Sequence, residues 1–245
     1  MKLAVIIPVY NAENTIRKAV KSIDTTHDVE IICINDGSTD RTKQVLTELQ
    51  KEVKHLIVYH QDNQGAAKSR NMGLSAMSDD IDAFMFLDAD DQFLPGKMDQ
   101  MIQYYEKNEH LDIVIGQIGR GLNGDWKVIP THEDIHREAI VSLAEAPEIL
   151  QSIGPGGKLF KAKFNTLRFD EDVVFCEEHT FVTRAYLMAR DIQLVPFIVY
   201  GYNDREGSIT DQRADTFISY LEDARKVRCE VMDMLLLVNE KAYYS

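Results

Sequence analysis

Cysteine is scarce in this chain. Only Cys33, Cys176 and Cys229 occur among 245 residues, and the spacings hold no CxxC pair. That argues against a disulfide framework or a zinc site and fits a reducing compartment. Basic residues are outnumbered: 27 Lys and Arg stand against 40 Asp and Glu, for a formal net charge of -13. Such a surface repels phosphate backbones, so nucleic acid is not an expected partner. Charge alone does not bring it to an anionic membrane either. No apolar run is long enough to span a bilayer. The opening MKLAVIIPVYNAE carries a short apolar run ending at Pro8 without a cleavage site, and reads as a strand rather than a signal peptide. The expected location is the cytoplasm, a reading compatible with peripheral association at the inner face of the membrane. Internal repeats and low-complexity linkers are also missing.

What is present suffices for one core. Hydrophobic residues make up 44% and charged residues 27%, the balance of an ordinary globular protein. The first half alternates between two periods. KLAVIIPV is a buried-type strand, followed by a helix capped by Asn14, with Ile16, Ala19, Val20 and Ile23 at helical spacing. VEIICIN is the second strand. Thr39 to Lys51 is the second helix, with Val45, Leu46 and Leu49 inward. HLIVYH, IDAFMFLD and LDIVIGQI are further strands, GAAKSRNMGLSAM is a helix, and Pro95 opens another helix through Lys107. Such alternation builds βαβ units, hence a mainly parallel sheet with helices on both faces. Right-handed crossovers then gather the strand C-termini at one edge, where ligands of open α/β sheets bind.

The second half is less regular. GRGLNGDWKVIP reads as a hairpin, Ser142 to Ser152 as a helix, and GPGGKLFKAKF as a loop entering a short element. Residues 178–189 read as a helix and IQLVPFIVYGYN as a strand. Asp215 to Leu237 reads as a long amphipathic helix with Phe217, Leu221, Ala224, Val227 and Val231 on one stripe. The expected division is one α/β domain over 1–210, with halves 1–118 and 119–210, and a C-terminal helical extension over 211–245.

The strand ends carry the unusual residues: PVYN, INDGSTD and LDADD bring Pro8, Tyr10, Asp36, Asp88 and Asp90 toward one edge. In INDGSTD, Asp36-Gly37 can turn while Ser38 or Thr39 caps the next helix, and Asp36 also stands where acids bind ribose hydroxyls or a base edge. In LDADD, extended backbone points Asp88 and Asp90 to one side and Asp91 to the other. Two neighbouring carboxylates repel unless a cation joins them, and hard oxygen ligands suit magnesium or manganese.

VIIPVYN, INDGSTD, NQGAAKSRNMGL and FLDADD, in this order and spacing, resemble the family 2 glycosyltransferases, whose GT-A fold is Rossmann-like. The likeness covers nearly all of the first hundred residues and points to enzymes of bacterial polysaccharide or teichoic-acid type. It implies a nucleotide-sugar donor, most often UDP-linked, with a divalent metal (Mn2+ or Mg2+) held by Asp90 on the diphosphate. Asp36 would contact uracil, Asn63 and Arg70 would face the nucleotide, and Asp88 would lie near the ribose. Pro8 and Tyr10 would frame the base. YNDREGSIT resembles a later family segment, making Arg205 and Ser208 the expected diphosphate contacts. The family's Glu-Asp pair appears here as Glu177-Glu178, so Glu178 takes the position of the catalytic base, with Glu177 and Asp172 as alternatives. Lys158, in GGKLF, resembles a recurring position that shapes the acceptor side.

The implied reaction moves a hexosyl or N-acetylhexosaminyl group, with inversion, to a hydroxyl of a glycan, polyol-phosphate or lipid-linked acceptor. A nucleotidyltransferase is the alternative enzyme class, but PVYNAEN offers no basic triphosphate clamp after the first strand. A catalytically silent nucleotide-sugar-binding module has no physical reason to keep Asp88, Asp90 and Glu178 together. GPGGK is not a phosphate loop, because Leu159 stands where Ser or Thr is needed. His132 and His136 are read as surface or acceptor-side residues, His179 as a neighbour able to orient the base, and Trp126 as hairpin packing.

Overall fold

The computed structural model describes residues 1–122, 124–203 and 213–243. Among these, ten strands form a single sheet. The first four are β1 (Lys2–Val9), β2 (Asp28–Asp36), β3 (Leu56–Gln61) and β4 (Ala83–Phe86). Then come β5 (Gln92–Phe93), β6 (Ile113–Leu122), β7 (Asp125–Val128), β8 (Ala139–Val141), β9 (Lys158–Lys161) and β10 (Ile192–Asn203). The helices are α1 (Ile16–Lys21), α2 (Thr42–Glu52), α3 (Ala66–Ala76), α4 (Lys97–Lys107), α5 (Glu177–Met188) and α6 (Arg213–Tyr243).

The sheet order is β3-β2-β1-β4-β9-β6-β10-β5, with β7 on β6 and β8 on β10. The expected parallel pairing holds across β3-β2-β1-β4. Beyond it the sheet is mixed: β9 runs antiparallel to both β4 and β6. Two reversals cancel, so β6 points the same way as β4, and β10 lies parallel to β6. The C-terminal ends of β1, β2, β3, β4, β6 and β10 therefore share one edge.

Strand alternation sends side chains to two layers. Leu3, Val5, Ile7 and Val9 of β1 pack with Ile16 and Val20 of α1, Leu46 and Leu49 of α2, and Met101 and Ile102 of α4. Ala4 and Ile6 face the other way, toward α3 and α5. Helices on both faces are thus what the buried-type strands required. Gly73 brings α3 onto the sheet: a Cβ there would stand 2.3 Å from Ile6 Cγ2. Phenylalanines seat α5, with Phe181 stacked on Phe169 (4.2 Å between centroids) and edge-on to Phe86 and Phe160.

Several local expectations are corrected. Asn14 does not cap α1, which starts after Thr15 without a side-chain cap. Asp40, not Ser38 or Thr39, serves α2: its carboxylate accepts the Thr42 and Glu13 amides, while Ser38 and Thr39 bond Asn11. Pro95 lies just ahead of α4, whose N-cap is left-handed Gly96. The expected helix over Ser142 to Ser152 shrinks to a 3-10 turn at Pro147–Gln151, because Pro147 has no amide to continue a helix through it. The hairpin forms as β6 and β7. Trp126 packs within it against Gly119 and across to Gly201, where a Cβ would meet the indole at 2.7 Å.

The long C-terminal helix is present, and among the described side chains of its expected inward stripe only Leu221 turns out to solvent. Val227 is buried, Ala224 and Val231 are half-buried, and Leu221 is 53% exposed; the Phe217 side chain lies outside the described residues. Polar contacts dock α6 as well. Asp223 Oδ2 accepts the amides of Val174 and Phe175, and Arg184 pairs with Glu230. No helix among the described residues is long and apolar enough to cross a membrane.

Candidate active site

One end of the edge is built by β1, β2 and the turn before α3. Pro8 is half-buried and registers with Ile34, while Tyr10 just beyond β1 is 50% exposed. Asp36 ends β2, buried and saturated with donors. Its Oδ1 accepts Gln61 Nε2 (2.7 Å) and the Gln64 amide (2.8 Å), and its Oδ2 accepts the Gly65 amide (2.8 Å). Asp36 therefore fixes the entry to α3. Gly37 has a left-handed φ of 68°, and a Cβ there would strike the Asn63 amide at 2.6 Å, so only glycine allows this approach. Exposed Asn63 is thereby placed beside Asp36.

The acidic loop follows β4. Asp88 keeps 40% of its side chain exposed, and Asp90 is half-buried. Asp91 turns inward as the alternation required. It is 2% exposed and accepts Tyr200 Oη (2.8 Å) and the Asn203 amide (3.0 Å). Burial, then the charges of Asp88 and Asp90, pushes its carboxyl up to about 8. Tyr200 Oη also receives the Asp88 amide (3.1 Å), and Asn203 Nδ2 donates to the Asp90 carbonyl (2.7 Å). The end of β10 thus holds the acidic loop from beneath. Tyr200 and Asn203 escaped the sequence reading; the polar ending VYGYN of an otherwise apolar strand is the signal that marked them.

Arg70 stands at the centre. It was expected to face the nucleotide, and its side chain is 4% exposed. Nη1 donates to Glu177 Oε1 at 2.9 Å, and Nη2 donates to Asp88 Oδ1 at 3.0 Å and lies 3.6 Å from Glu178 Oε1. The guanidinium also lies 5.4 Å from the Phe169 ring centroid. Burial alone would lower its pKa, but Asp88, Glu178 and Glu177 outweigh it and hold the charge firmly. One cation thus serves three carboxylates from two loops, a task for a planar fork rather than a lysine.

Glu177 and Glu178 begin α5 after Cys176, which adopts a left-handed φ of 68°. Glu178 keeps 28% of its side chain exposed, enough to meet a hydroxyl. Its carboxyl is pushed up to about 7, first by burial, then by Glu177 and Asp88, with Arg70 opposing. The helix dipole at this first turn favours the charged form by only about 0.3–1 kcal/mol, less than one pKa unit. Burial therefore decides the direction.

Several histidine readings change. His132-Glu133-Asp134-Ile135-His136 has the spacing of a zinc-protease helix, but it lies on a 3-10 turn and the bends after it. His132 is 1% exposed, not at the surface. Its Nδ1 accepts the Ile118 amide and its Nε2 meets Ser152 Oγ, so both nitrogens are engaged. Burial and Arg228 of α6 lower the pKa of His179. Lys158 is fully buried. Arg205 and Ser208 lie outside the described residues. Among the described residues no three His, Cys, Asp or Glu side chains cluster as a self-sufficient metal cage.

Comparison with known proteins shows the family and the fold. The sequence pattern of the family described as "Glycosyl transferase family 2" matches residues 4–175. "Putative glycosyltransferase TagX" of Staphylococcus aureus (strain MSSA476) is 37% identical over 249 residues, covering 100% of this chain and 70% of the relative. "Poly(ribitol-phosphate) beta-glucosyltransferase" of Bacillus spizizenii is 28% identical over 255 residues, covering 93% of this chain and 39% of the relative. The crystal structure of S. aureus TarS 1-349 in complex with UDP-GlcNAc superimposes with a TM-score of 0.78 at 23% identity, covering 94% of this chain and 66% of that one. TarS 1-349 without that ligand gives 0.76 at 22% identity, over 94% of this chain and 65% of that one, so the chain spans about two thirds of these neighbours. The likeness to TarS carries the fold, the family match carries membership, and the chain belongs to glycosyltransferase family 2.

Proposed function

We propose that this chain transfers a sugar, with inversion, from a UDP-sugar to a hydroxyl of a cell-surface polymer of polyol-phosphate type. The observation that carries the reading is the fork of Arg70, which joins Asp88 on the donor side to Glu177 and Glu178 on the other. A donor pocket and a base are thereby held in one rigid frame.

In this reading Pro8, Tyr10, Asp36 and Asn63 line the uridine, and Asp88 meets the ribose. Asp36 already spends its oxygens on α3, so its part is to shape the pocket as well as to accept a base N–H. Arg70 acts through the carboxylates it fixes, and Arg205 and Ser208 are kept as diphosphate contacts. Asp90, with Asp88 beside it, offers the hard oxygen ligands that suit Mg2+ or Mn2+. One or two carboxylates are the usual protein share for such an ion, whose shell substrate phosphates complete. A bound ion would supply Lewis-acid stabilisation of the leaving diphosphate.

Glu178 takes the proton of the acceptor hydroxyl as that oxygen bonds to the anomeric carbon and the UDP oxygen leaves. A carboxylate near pH 7 in affinity is matched to that task. Its single displacement inverts the centre and needs no covalent intermediate. The polymer-type acceptor is supported by the relatives' names, and the UDP-linked donor by the ligand of a protein of the same fold.

The test is nucleotide release from a panel of UDP- and GDP-sugars, with and without manganese, in the presence of poly(ribitol phosphate). Manganese-dependent, acceptor-stimulated UDP release supports the reading. Tight UDP binding without turnover of any donor would favour a silent binding module.

A further inference from the structure

Lys158 opens β9 in the middle of the sheet with 0% of its surface exposed. Lysine is almost never fully buried unless paired. Its ammonium turns back over the residues that precede it. Nζ donates to Ser152 Oγ (2.7 Å), the Gly154 carbonyl (2.5 Å) and, more distantly, the Gly156 carbonyl (3.5 Å). Three acceptors meet three N–H bonds, the full capacity of an ammonium.

The segment it holds, Ser-Ile-Gly-Pro-Gly-Gly over 152–157, has few side chains of its own to fix it. Ser152 is held from behind. His132 Nδ1 accepts the Ile118 amide, so a neutral ring carries its proton on Nε2 and donates it to Ser152 Oγ. Tyr186 Oη donates to the Ser152 carbonyl (3.0 Å). On the far side Gly156 lies against Tyr200, where a Cβ would stand 3.1 Å from the ring. Tyr200 in turn holds Asp91 and the Asp88 amide. The segment therefore lies between the support of the acidic loop and Lys158, whose ammonium feels Glu178.

We propose that Lys158 is a positioning residue that latches the Ser152–Gly157 loop against the site, and that this latch is coupled to the charge on Glu178. Removing a proton from Lys158 turns its charge-assisted hydrogen bonds into weaker neutral ones, so the loop is held less tightly. Burial pushes the ammonium down to about 7, and the charge of Glu178 is the influence that raises it. His132, the other titratable group facing Lys158, stays neutral, and Tyr186 beyond Ser152 is held protonated by burial. Around Glu178 stand Glu177, Arg70 and Asp88, whose influence is larger than that of Lys158. The coupling is thus a modest one, felt mainly by the lysine. An ionised Glu178, competent as a base, keeps the loop latched. Once Glu178 holds the acceptor's proton, the support for the ammonium drops and the loop loosens. The catalytic meaning of this sequence rests on the transferase reading; the latch does not.

Hydrogen exchange of the Ser152 amide, which donates to the Ile149 carbonyl, and of the Gly116 amide, which donates to the Gly157 carbonyl, tests it in the full chain without substrate from about pH 6 to about pH 9. Corrected for intrinsic rates, wild-type protection is expected to step down as Lys158 loses its proton. Lys158→Met should lose protection roughly tenfold or more at every pH and show no step, as expected for a lost charged hydrogen bond. Glu178→Gln should move the step to lower pH, and the double variant should match Lys158→Met. If Lys158→Met does not fold, the wild-type step and its displacement in Glu178→Gln still decide. Wild-type protection in a folded Lys158→Met, or an unmoved step in Glu178→Gln, overturns the proposal. Because no donor or acceptor is used, failure here is separate from failure of the nucleotide-release assay.

Discussion

Arg70 and Glu177 lie 107 positions apart in sequence, and Arg70 Nη1 donates to Glu177 Oε1 at 2.9 Å. That bond joins α3 to the first turn of α5. The same guanidinium reaches Asp88 at 3.0 Å, so three segments close around one buried charge.

Arg70→Ala should therefore destabilise the fold by about 3–5 kcal/mol, the cost of stranding buried partners of a lost charge. Arg70→Lys keeps the charge but cannot fork, and should recover part of the stability while activity stays low. Denaturant melts of both variants beside the wild type check this.

Transfer should depend on pH through Glu178. The proposed base works only when ionised, and the Glu178 carboxyl is pushed up to about 7 from the ordinary 4.5. The rate should then rise with pH through about 7 and level off above it. Arg70 is the largest influence opposing that rise, so Arg70→Lys, with a displaced charge, should shift the limb upward. A pH series of initial rates measures both.

Much of this site was legible before any coordinates. Continuous apolar strands ending in Asp, Asn or Tyr place the chemistry at one edge by topology alone, and alternation within LDADD told Asp91 from its neighbours. What stayed hidden depends on contacts distant in sequence. Nothing local in KSRN announces a buried arginine, since its three acids come from two other loops. Nor does GGKLF reveal that its lysine folds back on the glycines before it. β9 was also hard to read as a strand, because a four-residue antiparallel insert between two parallel strands leaves no periodic trace.

Asp90→Asn should abolish manganese-dependent nucleotide release. The Asn203 bond should survive the substitution, because the backbone carbonyl of Asp90 accepts it. Full metal-dependent turnover in the variant would remove Asp90 from the proposed ion site; circular dichroism and release assays suffice.

Tyr200→Phe strips a hydroxyl that joins Asp91 to the Asp88 amide. Leaving a buried acceptor and donor unsatisfied should cost about 1–3 kcal/mol. The half-saturating manganese concentration for nucleotide release should rise as the acidic loop loosens. A metal titration of the variant reads this directly.

His132 should make the fold acid-labile. Burial, then the charge of Lys158, pushes its pKa down to about 3 from the ordinary 6.5. Between those values the unfolded chain binds the extra proton, so stability falls as pH drops through that window. Glu178 runs the opposite way, since its raised pKa favours the folded state as pH falls below about 7. Comparing His132→Asn with wild type at each pH cancels that contribution. The variant should lose less of its melting temperature between about pH 7 and about pH 5.

The most direct test of the transferase reading is Glu178→Gln, assayed for both UDP binding and sugar transfer. UDP affinity should stay within about threefold of wild type, while transfer falls roughly a hundredfold or more, as expected on losing a general base. Transfer at the wild-type rate in that variant would contradict the assignment of Glu178.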